Sequence, residues 1–144
     1  MALLSLRKLK FTISPSNMDK VVLSNYALGG QTISYGWYDA EQGSLLQGVT
    51  DALFTENPST VFKFSCDIIP LSYDDRLLTS MINNAKMNGV SAFPAMFENK
   101  VDGQTIMSDE CYILSTSDTQ LAQNPSGKTY TFIMLNAVAK NPDL

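Results

Sequence analysis

The sequence predicts a mainly β protein, an antiparallel β-sandwich or barrel of about seven strands with one flanking α-helix. Three observations lead there. Most segments alternate apolar and polar residues with a period of two, as Leu9, Phe11 and Ile13 do against Lys8, Lys10 and Thr12. One stretch alone, from Ser72 to Ala85, places its apolar residues at helical spacing. The 144 residues, 44% hydrophobic and 17% charged, suffice for a single domain spanning 1–144 with a real core, and exclude a disordered chain.

The elements follow in order. The first strand, around Leu9 to Ile13, is closed by Pro15 and Asn17. A short run at Val21, Val22 and Leu23 comes next, then a turn at Gly29 and Gly30, and a strand from Thr32 to Tyr38 in which Gly36 marks a candidate bulge. Periodicity fails over 39–60. That segment reads as a long loop holding Gly43, Gly48, Asn57 and Pro58 together with Leu45, Leu46, Val49, Leu53 and Phe54. Long loops in small domains usually have a function. Such apolar residues either fold back on their own domain or are buried by another molecule, and the second is the expectation.

The clearest strand has Phe62, Phe64, Cys66 and Ile68 on one face, and ends at Pro70. A helix follows. Ser72 is its N-cap, Asp75 stands in capping-box position, and Asp74 adds charge that the helix dipole favours. Tyr73, Leu77, Leu78, Met81, Ile82 and Ala85 form a face that covers a sheet, and Asn88 with Gly89 ends the helix. Residues Val90 to Phe97 and Gln104 to Met107 read as a hairpin turning at Lys100, Asp102 and Gly103, with Pro94 requiring an edge or a bulge. Strands from Asp109 to Leu114 and from Thr129 to Val138, separated by a polar loop, complete the domain.

Composition removes many functions. The chain has no histidine, so imidazole bases, His-ligated zinc and Ser-His or Cys-His pairs are excluded. Cys66 and Cys111 sit in apolar, strand-like runs without CxxC spacing and read as buried free thiols. The acid pairs Asp74 with Asp75 and Asp109 with Glu110 are better explained by capping and by strand alternation than by catalysis or metal binding. Tyr35, Trp37 and Tyr38 could stack a sugar or base, but three aromatics on one strand more often supply core and interface. No nucleotide-binding or nucleophile motif is present, so no catalytic, cofactor-binding or metal-binding residue is assigned. The N-terminus lacks the order of a signal peptide and no apolar run spans a bilayer, so the expectation is a soluble chain made in the cytoplasm.

Charge is unevenly placed. The net charge of -4 argues against phosphate-gripping nucleic-acid binding. Residues 1–20 carry Arg7, Lys8, Lys10 and Lys20 against Asp19, whereas residues 21–62 carry Asp39, Glu41, Asp51 and Glu56 with no Lys or Arg. A basic arm and an acidic loop could meet head-to-tail between identical copies, or be two unrelated solvated surfaces.

The succession VVLSNYALGG, the strand ending in an aromatic, the long polar-apolar loop, VFKFSCDIIPLSYDDRLLTSMI, DGQTIMSDECYIL and KTYTFIMLNAV resembles the tail tube proteins of tailed phages, those with contractile tails in particular. The likeness spans about residues 5–138, and it rests on order and texture: a strand running into a helix over Ser72 to Ala85, Asp102 with Gly103, and Asp109 to Tyr112. It implies a tail-tube-like virion structural protein, not an enzyme: a β-sandwich flanked by a helix, copies joined into stacked hexameric rings, and a hollow conduit through which the genome passes. An acidic lumen would let DNA slide without specific binding. In the family the long loop between early strands reaches a neighbouring ring. The resemblance therefore implies inter-subunit contact for Leu45, Leu46, Leu53 and Phe54 in the loop 39–60, and for Leu3, Leu4 and Leu6 in the N-terminal arm 1–8. Sheath, baseplate and terminator proteins would be its partners, with assembly in the bacterial host cytoplasm, a place in the virion tail, no cofactor and no membrane. A tail terminator or baseplate component, a type VI secretion tube protein, and a monomeric ligand-binding β-barrel are the alternatives.

Overall fold

The computed structural model describes residues 8–15, 19–27, 33–123 and 126–141. Among these lie β1 (Leu9–Ile13), β2 (Val21–Val22), β3 (Ile33–Trp37), β4 (Gly43–Gln47), β5 (Ala52–Glu56), β6 (Phe62–Ile68), α1 (Tyr73–Asn88), β7 (Phe93–Asn99), β8 (Gln104–Thr116), β9 (Lys128–Leu135) and β10 (Val138–Lys140). The main sheet is antiparallel in the order β2-β1-β7-β8-β9-β6-β3, with β10 paired to β8. Strands β4 and β5 pair only with each other.

Alternation in the sequence becomes alternation in burial. Strands β1, β6 and β7 bury every second residue, and β9 does so along its full length. Their buried phenylalanines roll the sheet. In a flat sheet β1 and β6, four positions apart, would be about 19 Å from each other. Yet the rings of Phe11 on β1 and Phe64 on β6 stack with centroids 4.3 Å apart and planes 3° from parallel. Tyr35 on β3 likewise meets Phe97 on β7 at 4.5 Å, and its hydroxyl accepts a hydrogen bond from Asn99 Nδ2 at 3.0 Å. The sheet is thus an open barrel with a solid aromatic interior.

The helix is fixed by its first turn. Ser72 Oγ accepts from the Asp75 N–H, while Asp75 Oδ2 accepts from the Leu71 N–H at 2.8 Å. Asp74 Oδ2 accepts from the N–H groups of Ser24 and Asn25 at 2.7 and 2.8 Å, which ties the segment after β2 to the helix. Asp75 Oδ1 reaches the sheet, where it meets Tyr130 Oη at 2.5 Å and Lys128 Nζ at 3.3 Å. Gly89, at φ 95°, closes the C-terminus by donating to Ala85 O at 3.0 Å.

Several elements differ from the sequence reading. The segment 39–60 contains the β4–β5 hairpin, because it is apolar on both faces and so shows no period of two. Gly36 pairs in regular register with Lys63 and makes no bulge. Pro94 lies on an interior strand and not at an edge, and the register shift between Phe93 and Ala95 is the bulge given as the other expectation. Gln104 to Thr116 is one strand of 13 residues. The last expected strand breaks at Asn136, φ 52°, where Ser108 Oγ bonds Leu135 O and holds the kink. Tyr73 is exposed, whereas Leu78 is fully buried and Leu77, Met81 and Ile82 pack on the core. Asn17 and the turn at Gly29 and Gly30 lie outside the described residues.

The clamp sets a pH dependence. Burial by itself would raise the Asp75 pKa, but the hydrogen bonds from Tyr130, the Leu71 N–H and Lys128 outweigh it and hold the carboxyl below its ordinary value. Burial would lower Lys128, and its contacts with Tyr130 and Asp75 outweigh that and raise it. The Asp75 contribution is therefore present above about pH 4 and lost as pH falls through the folded value, and the Lys128 contribution is lost as pH rises past its own. Asp75→Asn should cost about 3–5 kcal/mol at neutral pH, since it strands a buried ammonium. Melting followed by circular dichroism should also show a shallower acid limb for this variant than for the parent.

Candidate functional site

In the β4–β5 ribbon Leu45 stands opposite Phe54 and Leu46 opposite Leu53. Neighbours in a strand point to opposite faces, so each face of the ribbon carries one apolar pair. The four side chains are 64%, 60%, 71% and 62% exposed in that order, and Val49 at the tip is fully exposed. A lone ribbon has no interior in which to hide them.

The ribbon is nonetheless well built. At its tip the Gly48 N–H donates to Asp51 O at 2.7 Å. At its base Asn57 Nδ2 donates to Asp39 Oδ2 at 2.7 Å and to Glu41 O at 3.1 Å, and the Asn57 N–H donates to Gln42 O at 2.9 Å, so one side chain ties both legs. A Cβ at Gly43 would collide with Thr55 O and lie 2.6 and 2.8 Å from ring atoms of Phe54, so the ring lies over bare glycine backbone. At the root Trp37 pairs with Phe62 in the sheet and packs its ring edge-on to Phe62 at 5.5 Å. Tyr35 and Trp37 thus pack against Phe62 and Phe97 beside the ribbon's attachment, while Tyr38 is exposed.

A groove lies where β8 outruns β7. Their pairing ends at Phe93 opposite Cys111, which leaves residues 112–116 of β8 beside the last turns of α1 and the connection 89–92. The cavity there is about 520 Å³, with walls that include Met81, Ile82, Ala85, Val90, Ile113 and Leu114. Lys86 is the charged side chain at its wall, and among the described residues it has no ion-pair partner. Sequence reading missed this groove because helix, connection and strand bulge meet only in the fold.

Little here supports bond-making chemistry. Burial pushes the Cys111 thiol up to about 12 and raises Cys66 as well, so both stay protonated and unreactive. Among the described residues no group of three or more His, Cys, Asp or Glu side chains could hold a metal ion, and no helix is long and apolar enough to cross a membrane. Of the residues predicted for inter-subunit contact, the structure gathers Leu45, Leu46, Leu53 and Phe54 on one ribbon, whereas Leu3, Leu4 and Leu6 lie outside the described residues.

No protein-family model matches the chain, and no curated protein matches its sequence. Among solved structures it is similar to the sheath/tube terminator of an extracellular contractile injection system (PVC) in its extended state. The TM-score is 0.58 and the identity 10%, over 97% of this chain and 98% of that one. It is also similar to a chain of the sheath-tube complex of such a system, with TM-score 0.55 and 12% identity over 93% of this chain and 88% of that one. The fold is one found in contractile injection systems. The mainly β architecture with one helix and an antiparallel sheet accords with that likeness.

Gly43→Val should unseat Phe54 and open the ribbon while leaving the main sheet within about 0.5 kcal/mol of the parent. Amide exchange by NMR should quicken over 44–56 and stay unchanged over β6 to β9. Unchanged exchange in the ribbon would mean that the close approach at Gly43 is not what holds it.

Proposed function

We propose that the chain is a structural subunit of a contractile tail, specifically a tail tube protein whose copies form hexameric rings that stack into a hollow conduit for genome delivery. The observation that carries this reading is the β4–β5 ribbon, which is rigid at its base and apolar on both faces. Burying a leucine or phenylalanine is worth about 1.5–3 kcal/mol, so four such residues on each copy give association a strong and repeated driving force. The likeness to a sheath/tube terminator and to a chain of a sheath-tube complex of a contractile injection system supports a structural role in a contractile tail. Its role is then mechanical and not enzymatic. Residues Leu45, Leu46, Leu53 and Phe54 supply inter-ring contact, with Leu3, Leu4 and Leu6 contributing to neighbouring subunits. Sheath, baseplate and terminator proteins are its partners, assembly takes place in the bacterial host cytoplasm, and the acidic chain lets DNA pass without specific binding.

A tail terminator is the second reading, favoured by the nearly end-to-end match to the terminator chain. A terminator closes a tube and a tube subunit propagates it. A monomeric ligand-binding barrel is disfavoured, because Phe11, Phe64, Phe97 and Phe132 fill the interior where a ligand would sit.

Negative-stain electron microscopy of the purified chain, with size-exclusion chromatography across a concentration series, separates these readings. Stacked rings with a stain-filled channel are expected of a tube subunit, and single rings of a terminator. Removing Leu45 to Phe54 should abolish stacking and leave the circular dichroism spectrum of the sheet in place. Tubes of normal length from that deletion would sink the proposed role of the ribbon.

A further inference from the structure

The ribbon and the groove sit on opposite sides of one row of the sheet. Trp37 and Phe62 mark where the ribbon leaves, and that row continues through Met134 and Cys111 to Phe93. The β8 wall of the groove, Ile113 to Thr116, pairs with Phe132 to Tyr130, which pair in turn with Phe64 to Cys66, farther along β6 toward the helix. A ribbon folded back over its own sheet would bury one of its apolar rows, and both are exposed. The ribbon therefore points away from its own groove.

We infer that the groove between α1 and β8 of one copy receives the β4–β5 ribbon of the next copy. This rests on the stacking role proposed above and names the receptor for it. The two surfaces match in chemistry. The groove is walled by apolar side chains, and the β8 bulge between Ile113 and Ser115 turns Leu114, 52% exposed, toward the opening. Residues 112–116 of β8 also lack β7 on that side, so the groove floor has a strand edge on which an incoming strand can pair. The charges match too. Lys86 is the charged group at the groove, while the ribbon carries Asp51 and Glu56 without a basic residue, and none of the three has an ion-pair partner among the described residues. Because donor and receptor are different surfaces at opposite ends, the contact is heterologous. Each copy that binds presents a fresh groove or ribbon, so the contact propagates instead of closing as a dimer.

Sedimentation velocity on the full chain across a concentration series tests this. Lys86→Glu and, separately, Leu114→Asp should each raise the concentration needed for assembly by about tenfold or more, with melting transitions like the parent's. Pairing Lys86→Glu with Asp51→Lys and Glu56→Lys in one chain should bring assembly back toward the parent, a rescue that mere misfolding would not give. If Leu114→Asp fails to fold, the Lys86 exchange decides by itself. Assembly of the groove variants at the parent's concentration, with Leu46→Asp/Leu53→Asp abolishing it, would overturn the groove as receptor and leave the stacking role standing. A parent chain that stays monomeric throughout would overturn both.

Discussion

A two-stranded ribbon has no interior, so every apolar side chain it carries must find its cover in something else. In this chain that constraint falls on Leu45, Leu46, Leu53 and Phe54, one pair to each face. Their exposure is not the result of a loose segment, because Asn57 clasps both legs of the ribbon and Phe54 lies over Gly43. A stiff apolar arm with acidic flanks is a poor solution for a monomer in water and a good one for a chain that meets its own kind.

The remainder of the fold makes such an arm useful. The sheet is rolled around stacked phenylalanines, so the ribbon's root at Trp37 and Phe62 stands on a close-packed base. The helix is locked to the sheet through Asp75, Lys128 and Tyr130, and to the segment after β2 through Asp74. Those bonds fix the helix whose last turns wall the groove. The proposed receptor is thus built on a helix tied through its first turn to the sheet and to the segment after β2, and the arm leaves the same sheet at Trp37 and Phe62.

Much of the sheet was legible in the sequence because its strands have one dry face. Phe62, Phe64, Cys66 and Ile68 announce β6, and the buried alternation of β1 and β9 is equally plain. The helix was legible through Ser72, Asp75 and Gly89, whose capping bonds the structure contains. The ribbon was not, and the reason is physical. Alternation records a difference between two environments, and both faces of the ribbon meet the same one. Its signature was of another kind, apolar pairs at Leu45 with Leu46 and Leu53 with Phe54 placed symmetrically about Gly48 to Asp51. The break at Asn136 lies beside the contact of Ser108 with Leu135 across 27 positions, which has no local trace in the sequence. The Asp75 to Lys128 pair was hidden in the same way, since capping accounted fully for Asp75 until the sheet partner was in view.

If other copies of the chain cover the ribbon, its backbone is shielded only on assembly. Hydrogen exchange by mass spectrometry on the unmodified protein, at a dilute and a concentrated condition, tests it most directly. Peptides covering 43–56 should exchange quickly when dilute and become protected when concentrated, while β6 and β9 stay protected in both. Equal, rapid exchange of the ribbon at both concentrations, in a sample that has assembled, would contradict it.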